Sequence, residues 1–287
     1  MELETAGLTI VPPDVTGVTP ELLDRCTEVL LKRFTEITGG CPITIEDGPT
    51  GELTWPEMPR SALRGDDAPP PTQMLIQQLL QLDRCFRDLT VNPVADALID
   101  HLIGSLPVPG GKARARRLSS TNSFVKWQGE YGYGQTLGLH CDQGANPLPW
   151  GYTAPTANAT WCLTEYTKED GALAYVPGSH RSNAHPSQPR AAKQAVPAVA
   201  PRGAVIIWPG STWHSAFPKL TPGLRLNAVT YYRHSSVLPQ ENLKVTMRDE
   251  PWVDCDNPEM MRELLGIEDR FPYLVQSQAV PKLAAAS

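Results

Sequence analysis

The stretch LGLHCDQG, residues 137–144, carries the pattern on which the fold prediction depends. Its histidine and aspartate, His140 and Asp142, flank a single residue at the end of a predicted β-strand over 135–140. Because side chains at i and i+2 of an extended segment point to the same side, both groups can bind one metal ion. The pattern alone is weak evidence, since a short H-x-D sequence is also typical of a solvent-exposed loop.

A second histidine, His214, lies in another predicted strand, over 212–217. Two histidines and one carboxylate form the facial triad of non-haem Fe(II) oxygenases, which leaves three coordination positions open. A lone histidine can equally be a core residue, so the interpretation of His214 as a metal ligand depends on a further residue, Arg225. The intervening prolines and glycine predict a turn, and we expect strands 212–217 and 224–233 to form a hairpin that brings Arg225 beside His214. A guanidinium buried inside a barrel needs an anionic partner, and its parallel N–H groups can donate to both oxygens of a carboxylate.

The rest of the chain predicts helices first and short strands afterwards. The predicted helices cover 20–38, 73–89 and 93–103. The predicted strands cover 123–128, 135–140, 159–166, 172–176, 204–208, 212–217 and 224–233. This order indicates a mainly β protein with flanking α-helices, built as an antiparallel sandwich or barrel. Two proline-rich segments, 55–71 and 182–202, are predicted to be long loops on the rim.

We expect a single domain over 1–287, divided into four parts. A helical N-terminal third covers about 1–110 and a β-rich core about 117–234. A C-terminal segment follows over 235–275, and residues 276–287 are predicted to be a loose tail.

Charge and composition narrow the classes of partner. The 287 residues include 25 Lys and Arg against 31 Asp and Glu, a net charge of −6, which argues against nucleic acid. No apolar run approaches the length of a membrane span, and the acidic start is unlike a signal peptide. Six cysteines without a C-x-x-C pair are predicted to be reduced thiols. We therefore expect a cytoplasmic protein that binds a small molecule, while its oligomeric state is not predicted.

Beyond the metal pattern, the run WCLTEYTKEDGALAYVPGSHR, residues 161–181, strengthens a family resemblance. With His140, Asp142, His214 and Arg225, it makes the chain resemble the phytanoyl-CoA dioxygenase family of Fe(II)/2-oxoglutarate oxygenases, over about 117–234. The resemblance implies a double-stranded β-helix, the cupin-like jelly roll, with helices packed on one face. It also implies that the two histidines and the aspartate hold iron, and that Arg225 binds the far carboxylate of 2-oxoglutarate.

The resemblance also suggests residues around the cosubstrate and the substrate. Leu137 is expected to form an apolar wall of the cosubstrate site, and Trp161 a flat surface near it. Trp150 and Tyr152 follow the metal motif on a Gly/Pro-rich loop, where they are candidates for substrate contact. Asn227 is a further candidate, because it shares strand parity with the arginine two residues before it.

The activity that follows from the resemblance is oxidation of a small organic molecule. O2 and 2-oxoglutarate are consumed, succinate and CO2 are formed, and the substrate is hydroxylated, desaturated or cyclised. Asp142 favours oxygenation, because halogenating relatives carry Gly or Ala at that position. Two alternatives stay open. A cupin-type metalloprotein that does not use 2-oxoglutarate would not need Arg225, and a non-catalytic ligand-binding relative would be expected to have lost a triad residue.

Overall fold

The strands of this protein assemble into two antiparallel sheets that border one cavity. The computed structural model describes residues 2–54, 71–129, 137–151, 153–187, 190–247 and 254–269. Its helices are α1 (Glu2–Thr5), α2 (Pro13–Thr16), α3 (Pro20–Ile37), α4 (Leu79–Leu82), α5 (Arg84–Thr90), α6 (Pro93–Ile103), α7 (Leu243–Thr246) and α8 (Pro258–Leu264). Its strands are β1 (Thr9–Val11), β2 (Ile43–Thr44), β3 (Gly48–Pro49), β4 (Gln73–Gln77), β5 (Ser105–Val108), β6 (Gly111–Arg114), β7 (Arg116–Gly129), β8 (Thr156–Cys162), β9 (Leu173–Tyr175), β10 (Val196–Pro197), β11 (Val205–Pro209), β12 (His214–Ala216), β13 (Lys219–Arg225) and β14 (Asn227–His234).

The two sheets differ in size. The large one has the strand order β1-β11-β8-β14-β7-β13, and β4 also pairs with β7. The small one has the order β10-β9-β12, and a backbone bridge between His140 and His214 extends it beyond β12. Two-stranded ribbons, β2–β3 and β5–β6, stand apart from both sheets. This arrangement agrees with the predicted jelly roll.

Strand alternation separates the helix-packed core from the cavity. Along β8, Ala157, Ala159 and Trp161 are buried in the core shared with the helices, whereas Asn158 and Thr160 line the cavity. The helices α3, α5 and α6 contribute the buried side chains Leu30, Phe34, Phe86, Leu89 and Ile99 to that core. The sheet is therefore buried on one face by helices and lines the functional cavity with the other.

Two of the three predicted helices form where their capping signals lie. The Thr19 hydroxyl accepts a hydrogen bond from the Leu22 amide at 3.3 Å, and Pro20 begins α3. The Asn92 side chain accepts from two first-turn amides of α6, at 3.1 and 3.2 Å. The predictions over 20–38 and 93–103 are thus confirmed to within a residue.

The helix predicted over 73–89 is wrong in its first half. Residues 73–77 form β4, which pairs with β7 and buries Met74 and Ile76 against the helices. Gln78 then adopts a left-handed backbone with φ of 61°, and the short helices α4 and α5 follow. Pairing with β7 outweighs helix propensity here, because it forms backbone hydrogen bonds along β4 and buries Met74 and Ile76 in the core.

The predicted hairpin between His214 and Arg225 does not form. Strand β12 pairs with β9 in the small sheet, whereas β13 pairs with β7 in the large one. The strand predicted over 224–233 is in fact two strands, which meet at Leu226. His214 and Arg225 still line the same cavity, but from facing sheets rather than from adjacent strands.

The strand predicted over 135–140 is also wrong where the structure describes it. Leu137 and Gly138 have φ of 54° and 64°, which is incompatible with an extended strand, and they form a turn before His140. The predicted loop over 182–202 contains a 3₁₀ turn, Ala192–Gln194, and the short strand β10. Most of the predicted loop over 55–71, residues 135–136, Tyr152 and the predicted tail 276–287 lie outside the described residues.

The described ranges include all six cysteines and every helix listed above. All six cysteines are buried, and none forms a disulfide. No helix in this part of the chain combines the length and apolar character that crossing a bilayer requires. The helical N-terminal third also contributes β1 and β4 to the large sheet, so it is not purely helical.

A buried ion pair joins α6 to β7, and we expect its loss to destabilise the protein strongly. Arg116 is fully buried and Asp96 is 3 % exposed, with Nη2 of the arginine 2.8 Å from Oδ2 of the aspartate. Asp96→Ala removes the buried partner of this guanidinium and leaves it only the more exposed Glu263, whose Oε1 lies 3.1 Å from Nη1; breaking a buried pair typically costs about 3–5 kcal/mol. Denaturant unfolding of the two proteins measures this loss in the free energy of unfolding.

An exposed ion pair provides the matched control for this prediction. Arg33 and Glu36 are 3.1 Å apart on α3, and both side chains are more than 40 % exposed. Glu36→Ala should change the free energy of unfolding by at most about 0.5 kcal/mol. Equal losses in the two variants would contradict a special role for the buried pair.

Candidate active site

Three side chains that can bind a metal converge at one end of the cavity. Ligand atoms of His140, Asp142 and His214 all lie within 4.8 Å of one another. The carboxylate lies between the two imidazoles, with Oδ1 3.5 Å from Nε2 of His140 and Oδ2 3.4 Å from Nε2 of His214. Cys141 has extended backbone angles, so the i, i+2 argument holds although Asp142 itself begins a 3₁₀ turn. Within the described ranges, this is the one such group of three or more His, Cys, Asp or Glu residues.

Backbone carbonyls orient both imidazoles toward the carboxylate. Nδ1 of His140 lies 3.1 Å from the Gly138 carbonyl oxygen, and Nδ1 of His214 lies 2.9 Å from that of Thr212. A carbonyl can only accept, so each Nδ1 carries the proton and each Nε2 keeps its lone pair. The two rings also lie 4.5 Å apart, held by paired backbone hydrogen bonds of 3.0 and 2.9 Å. The donor set therefore fits a divalent iron ion, with both Nε2 atoms presented as ligands.

The protonation states of the three groups also suit a cation. Burial lowers the pKa of His214 below its ordinary value. Burial acts to raise the pKa of Asp142, but the charges of the two histidines and hydrogen bonds from His140 and Asn158 lower it, so the group is a carboxylate. Burial opposes charge on His140, yet the hydrogen bond and charge of Asp142 raise its pKa. The site thus combines an anionic carboxylate with two imidazoles, of which His140 is the more easily protonated.

A buried arginine lies in the same cavity. Arg225 is 4 % exposed, and its Nη1 donates to the Tyr166 hydroxyl at 3.0 Å. The guanidinium carbon lies 5.1 Å from the centroid of the Tyr166 ring. Burial raises the pKa of this phenol to about 12, although the Arg225 charge acts against it, so Tyr166 stays neutral. The Nε of Arg225 is buried and has no hydrogen-bond partner among the described residues, so the guanidinium can bind an anion.

The cavity extends from the triad to a wall built by β4 and β7. Its volume is about 570 Å³. Three side chains of β4 and two of β7 line this wall: Gln73, Leu75, Gln77, Asn122 and Phe124. The cavity is thus lined by the three potential metal ligands, by the cationic Arg225, and by a wall of carboxamide and apolar side chains.

Two of the predicted cosubstrate contacts are wrong. Trp161 is 1 % exposed and packs among the helices, because it alternates with the cavity-facing Thr160 on β8. Leu137 packs with Leu139 and Val176, because its turn directs it away from the cavity. Neither residue lines the cavity that contains the triad.

The three residues predicted to contact the substrate differ in their location. Asn227 lines the cavity with the triad, as its strand parity predicts. Trp150 does not; it lines a separate cavity of about 730 Å³ near α1 and the end of α6. Its ring nitrogen donates to the Asn146 carbonyl at 3.1 Å. Tyr152 lies outside the described residues, so its role stays a prediction.

Sequence reasoning missed several cavity residues. Gln73 and Gln77 lie in the segment predicted to be a helix, so their common direction on a strand is hidden. Leu75 between Met74 and Ile76 makes the centre of this segment continuously apolar, so the sequence gives no clear period of two. The roles of Asn158 and Tyr166 depend on contacts with Asp142 and Arg225, respectively. No local pattern reports such contacts.

Comparison with known proteins assigns the chain to a family. Residues 66–227 match the model of the family described as phytanoyl-CoA dioxygenase (PhyH), more than half of the chain. The chain belongs to the phytanoyl-CoA dioxygenase family. This family member is 30 % identical over 186 residues to a protein named Dioxygenase af480 from Aspergillus fumigatus. The match covers 63 % of this chain and 55 % of af480, so the chain spans about half the length of that relative.

Solved structures similar to this phytanoyl-CoA dioxygenase family member share its fold. HygX from Streptomyces hygroscopicus, determined with nickel and 2-oxoglutarate bound, superposes with a TM-score of 0.55 at 14 % identity. That comparison covers 83 % of this chain and 86 % of HygX. SnoK, a non-heme alpha ketoglutarate dependent carbocyclase from nogalamycin biosynthesis, gives 0.52 at 16 % identity, with 81 % of each chain covered. These similarities confirm the predicted cupin-like jelly roll.

Proposed function

We propose that this chain is an Fe(II)- and 2-oxoglutarate-dependent oxygenase of a small organic molecule. In this proposal His140, Asp142 and His214 bind the iron, and Arg225 binds the far carboxylate of 2-oxoglutarate. Membership of the phytanoyl-CoA dioxygenase family supports the reaction class. The presence of nickel and 2-oxoglutarate in HygX, which has a similar fold, supports the pair of cofactors.

The observation that carries this proposal is the buried Arg225 in the triad's cavity. A permanent cation with an unpartnered Nε is costly to bury, and a dicarboxylate that reaches the metal would supply the missing anion. Among the described residues, no carboxylate forms an ion pair with this guanidinium. A metalloprotein without a dicarboxylate cosubstrate gives no reason for such a group.

In this proposal the three metal ligands, Arg225 and Tyr166 have separate roles in the reaction. When bound, iron and 2-oxoglutarate activate O2, with release of succinate and CO2 and transfer of one oxygen atom to the substrate. The two imidazoles and the carboxylate would hold the ion and would leave coordination positions free for the cosubstrate and O2. Arg225 and Tyr166 hold the cosubstrate at the far end, so its reactive end is oriented before O2 enters.

The substrate occupies the remainder of the cavity in this proposal. The volume of about 570 Å³ suits a small organic molecule together with the cosubstrate. Carboxamides from Gln73, Gln77 and Asn122 can hydrogen-bond its oxygen atoms, while Leu75 and Phe124 contact apolar carbon. Asn227 is a further proposed contact. Hydroxylation is the simplest outcome, and SnoK shows that a protein of similar fold can be a carbocyclase, so desaturation or ring closure is a second outcome.

An anaerobic titration tests the proposal directly. Fe(II) and 2-oxoglutarate added together to the protein should give the weak visible charge-transfer band of the chelate, and O2 should then yield succinate. A cupin-type metalloprotein would bind Fe(II) without the band, and a non-catalytic relative would form no succinate with any substrate tried. Mass spectrometry of the product then distinguishes a gain of one oxygen from a loss of two hydrogens.

Iron affinity should fall as the pH is lowered through the pKa of His140. Metal ligands must be deprotonated to bind. A ligand that has to lose one proton therefore lowers the apparent affinity for iron about tenfold for each pH unit below its pKa. The pKa of His140 is raised above 6.5, whereas that of His214 is lowered, so His140 is protonated first. Competition with a coloured chelator over a pH series measures this loss.

An asparagine variant tests whether the negative charge of Asp142 raises the pKa of His140. Asp142→Asn removes the negative charge that raises the pKa of His140, so protonation of the histidine should begin at a lower pH. NMR titration of the histidine ring protons in the metal-free proteins reports this difference. An unchanged His140 titration in the variant would contradict the assigned cause.

A further inference from the structure

One buried amide contacts the proposed carboxylate ligand from the sheet below it. Asn158 is 4 % exposed and lies on β8 with its side chain in the cavity. Its Nδ2 donates to Oδ2 of Asp142 at 2.6 Å. Because an ionised carboxylate can only accept, the amide nitrogen must be the group that faces Asp142. This hydrogen bond therefore has a defined direction, from the sheet to the carboxylate.

Cross-strand neighbours hold Asn158 in place. Trp208 on β11 and Tyr231 on β14 are its direct partners in the two adjacent ladders. Side chains of such partners share one face with Cβ atoms about 5 Å apart. We call Trp208, Asn158 and Tyr231 the support row. The Trp208 ring lies 5.1 Å from the His214 ring, and the Tyr231 hydroxyl lies 3.5 Å from the Asp142 carbonyl oxygen.

We propose that Asn158 is a positioning residue that keeps Asp142 bound to iron through one oxygen only. The inference rests on the proposed function, in which Asp142 is an iron ligand. The amide donates to Oδ2 of the carboxylate at 2.6 Å, and this oxygen also lies 3.4 Å from Nε2 of His214, while Oδ1 lies 3.5 Å from Nε2 of His140. One-oxygen binding leaves three positions for 2-oxoglutarate and O2, whereas two-oxygen binding would take one of them.

The energetics favour a role beyond packing. A buried amide without a partner is costly, and an apolar residue would fit a site that has Trp208 and Tyr231 on either side. Hydrogen bonds to charged acceptors are about twice as strong as neutral ones. The amide therefore stabilises one orientation of the carboxylate, and in metal sites such partners fix the geometry of the ligand.

The first test is the metal affinity of Asn158→Leu. Leucine has nearly the same shape but no donor, so the affinity for Fe(II), measured anaerobically by chelator competition without 2-oxoglutarate, should fall about 10- to 100-fold. Asn158→Ala leaves space for a water molecule that can donate in the amide's place, so its loss should be smaller. Thermal unfolding of both metal-free variants checks that they are folded.

A spectroscopic test reports the coordination itself. In the cobalt-substituted protein, the visible d–d bands depend on ligand number, so they should change in Asn158→Leu at saturating cobalt and without 2-oxoglutarate. Thr160→Val is the matched control, because Thr160 is on the same strand and face and its buried Oγ1 has no hydrogen-bond partner. This variant should keep the metal affinity and the cobalt spectrum of the wild type.

The outcomes separate this proposal from the proposed function. If Asp142→Ala loses iron but both Asn158 variants keep wild-type affinity and spectrum, the positioning role is overturned and the function stands. An Asn158→Leu variant that changes only the KM for substrate would make Asn158 a substrate contact and overturn the role too. If Asp142→Ala itself keeps iron, the ligand assignment fails and this inference fails with it.

Discussion

Alanine at position 142 is expected to leave a folded protein that takes up iron only at background level and forms no succinate. Asp142 supplies the single negative charge among the three proposed ligands, and it lies within 3.5 Å of both imidazole Nε2 atoms. Losing a ligand should cost more than the about 10- to 100-fold in affinity that loss of an outer partner costs. Anaerobic iron loading, followed by metal analysis, measures the effect.

The same loss is expected for His140→Ala and His214→Ala, because each removes one of the Nε2 donors. The matched control is His185→Ala. This exposed histidine lies close to the site, with Nδ1 3.6 Å from Sγ of Cys141, yet it is outside the group of three. The control should load iron normally. Full iron occupancy and activity in any of the three alanine variants would remove that residue from the ligand set.

The second large effect is expected for Arg225→Met, in the concentration of 2-oxoglutarate needed for half-saturation. Removing one member of a buried charge pair typically costs about 2–5 kcal/mol, which is about 30-fold to several thousand-fold in affinity. Iron binding should stay nearly normal, because Arg225 is not part of the ligand group. A 2-oxo acid with a single carboxylate should lose much less on this substitution, since it has no second carboxylate to be bound.

Thermal unfolding adds a signature that a merely structural arginine would not give. Without 2-oxoglutarate, Arg225→Met should change Tm little, because loss of the hydrogen bond to Tyr166 is offset by removal of a buried cation that forms no ion pair with the described carboxylates. Arg233 on β14 is the matched control. Its guanidinium donates to the carbonyls of Leu118, Ser235 and Val237, and Arg233→Met removes these three hydrogen bonds.

The two arginine variants should therefore behave in opposite ways. Arg233→Met is expected to lower the free energy of unfolding by about 1–3 kcal/mol for each buried acceptor left unpaired, with the half-saturating concentration of 2-oxoglutarate unchanged. Arg225→Met should lose the rise in Tm that 2-oxoglutarate gives the metal-loaded wild type. An Arg225→Met protein that kept its 2-oxoglutarate affinity and lost iron would make Arg225 a structural residue.

Features that depend on neighbours along the chain can be predicted from the amino-acid sequence. The spacing of His140 and Asp142 places both side chains on one side, and the extended Cys141 between them preserves that relation. The helices predicted over 20–38 and 93–103 form as α3 and α6, and in the structure Thr19 and Asn92 accept hydrogen bonds from amides of the first turns that follow them. Short strands separated by Gly and Pro indicated an antiparallel β architecture, which both sheets confirm.

Which face of each strand points into the cavity, and which sheet the strand joins, depends on long-range pairing in the folded protein. His214 and Arg225 meet across the cavity from different sheets, residues 73–77 become a strand by pairing with β7, and Trp161 faces the helices while Asn158 faces the metal ligands. The physical reason is the period of two in a strand, since a shift of one residue exchanges its two faces. The partners that set register and sheet lie many residues away, so no local pattern contains them.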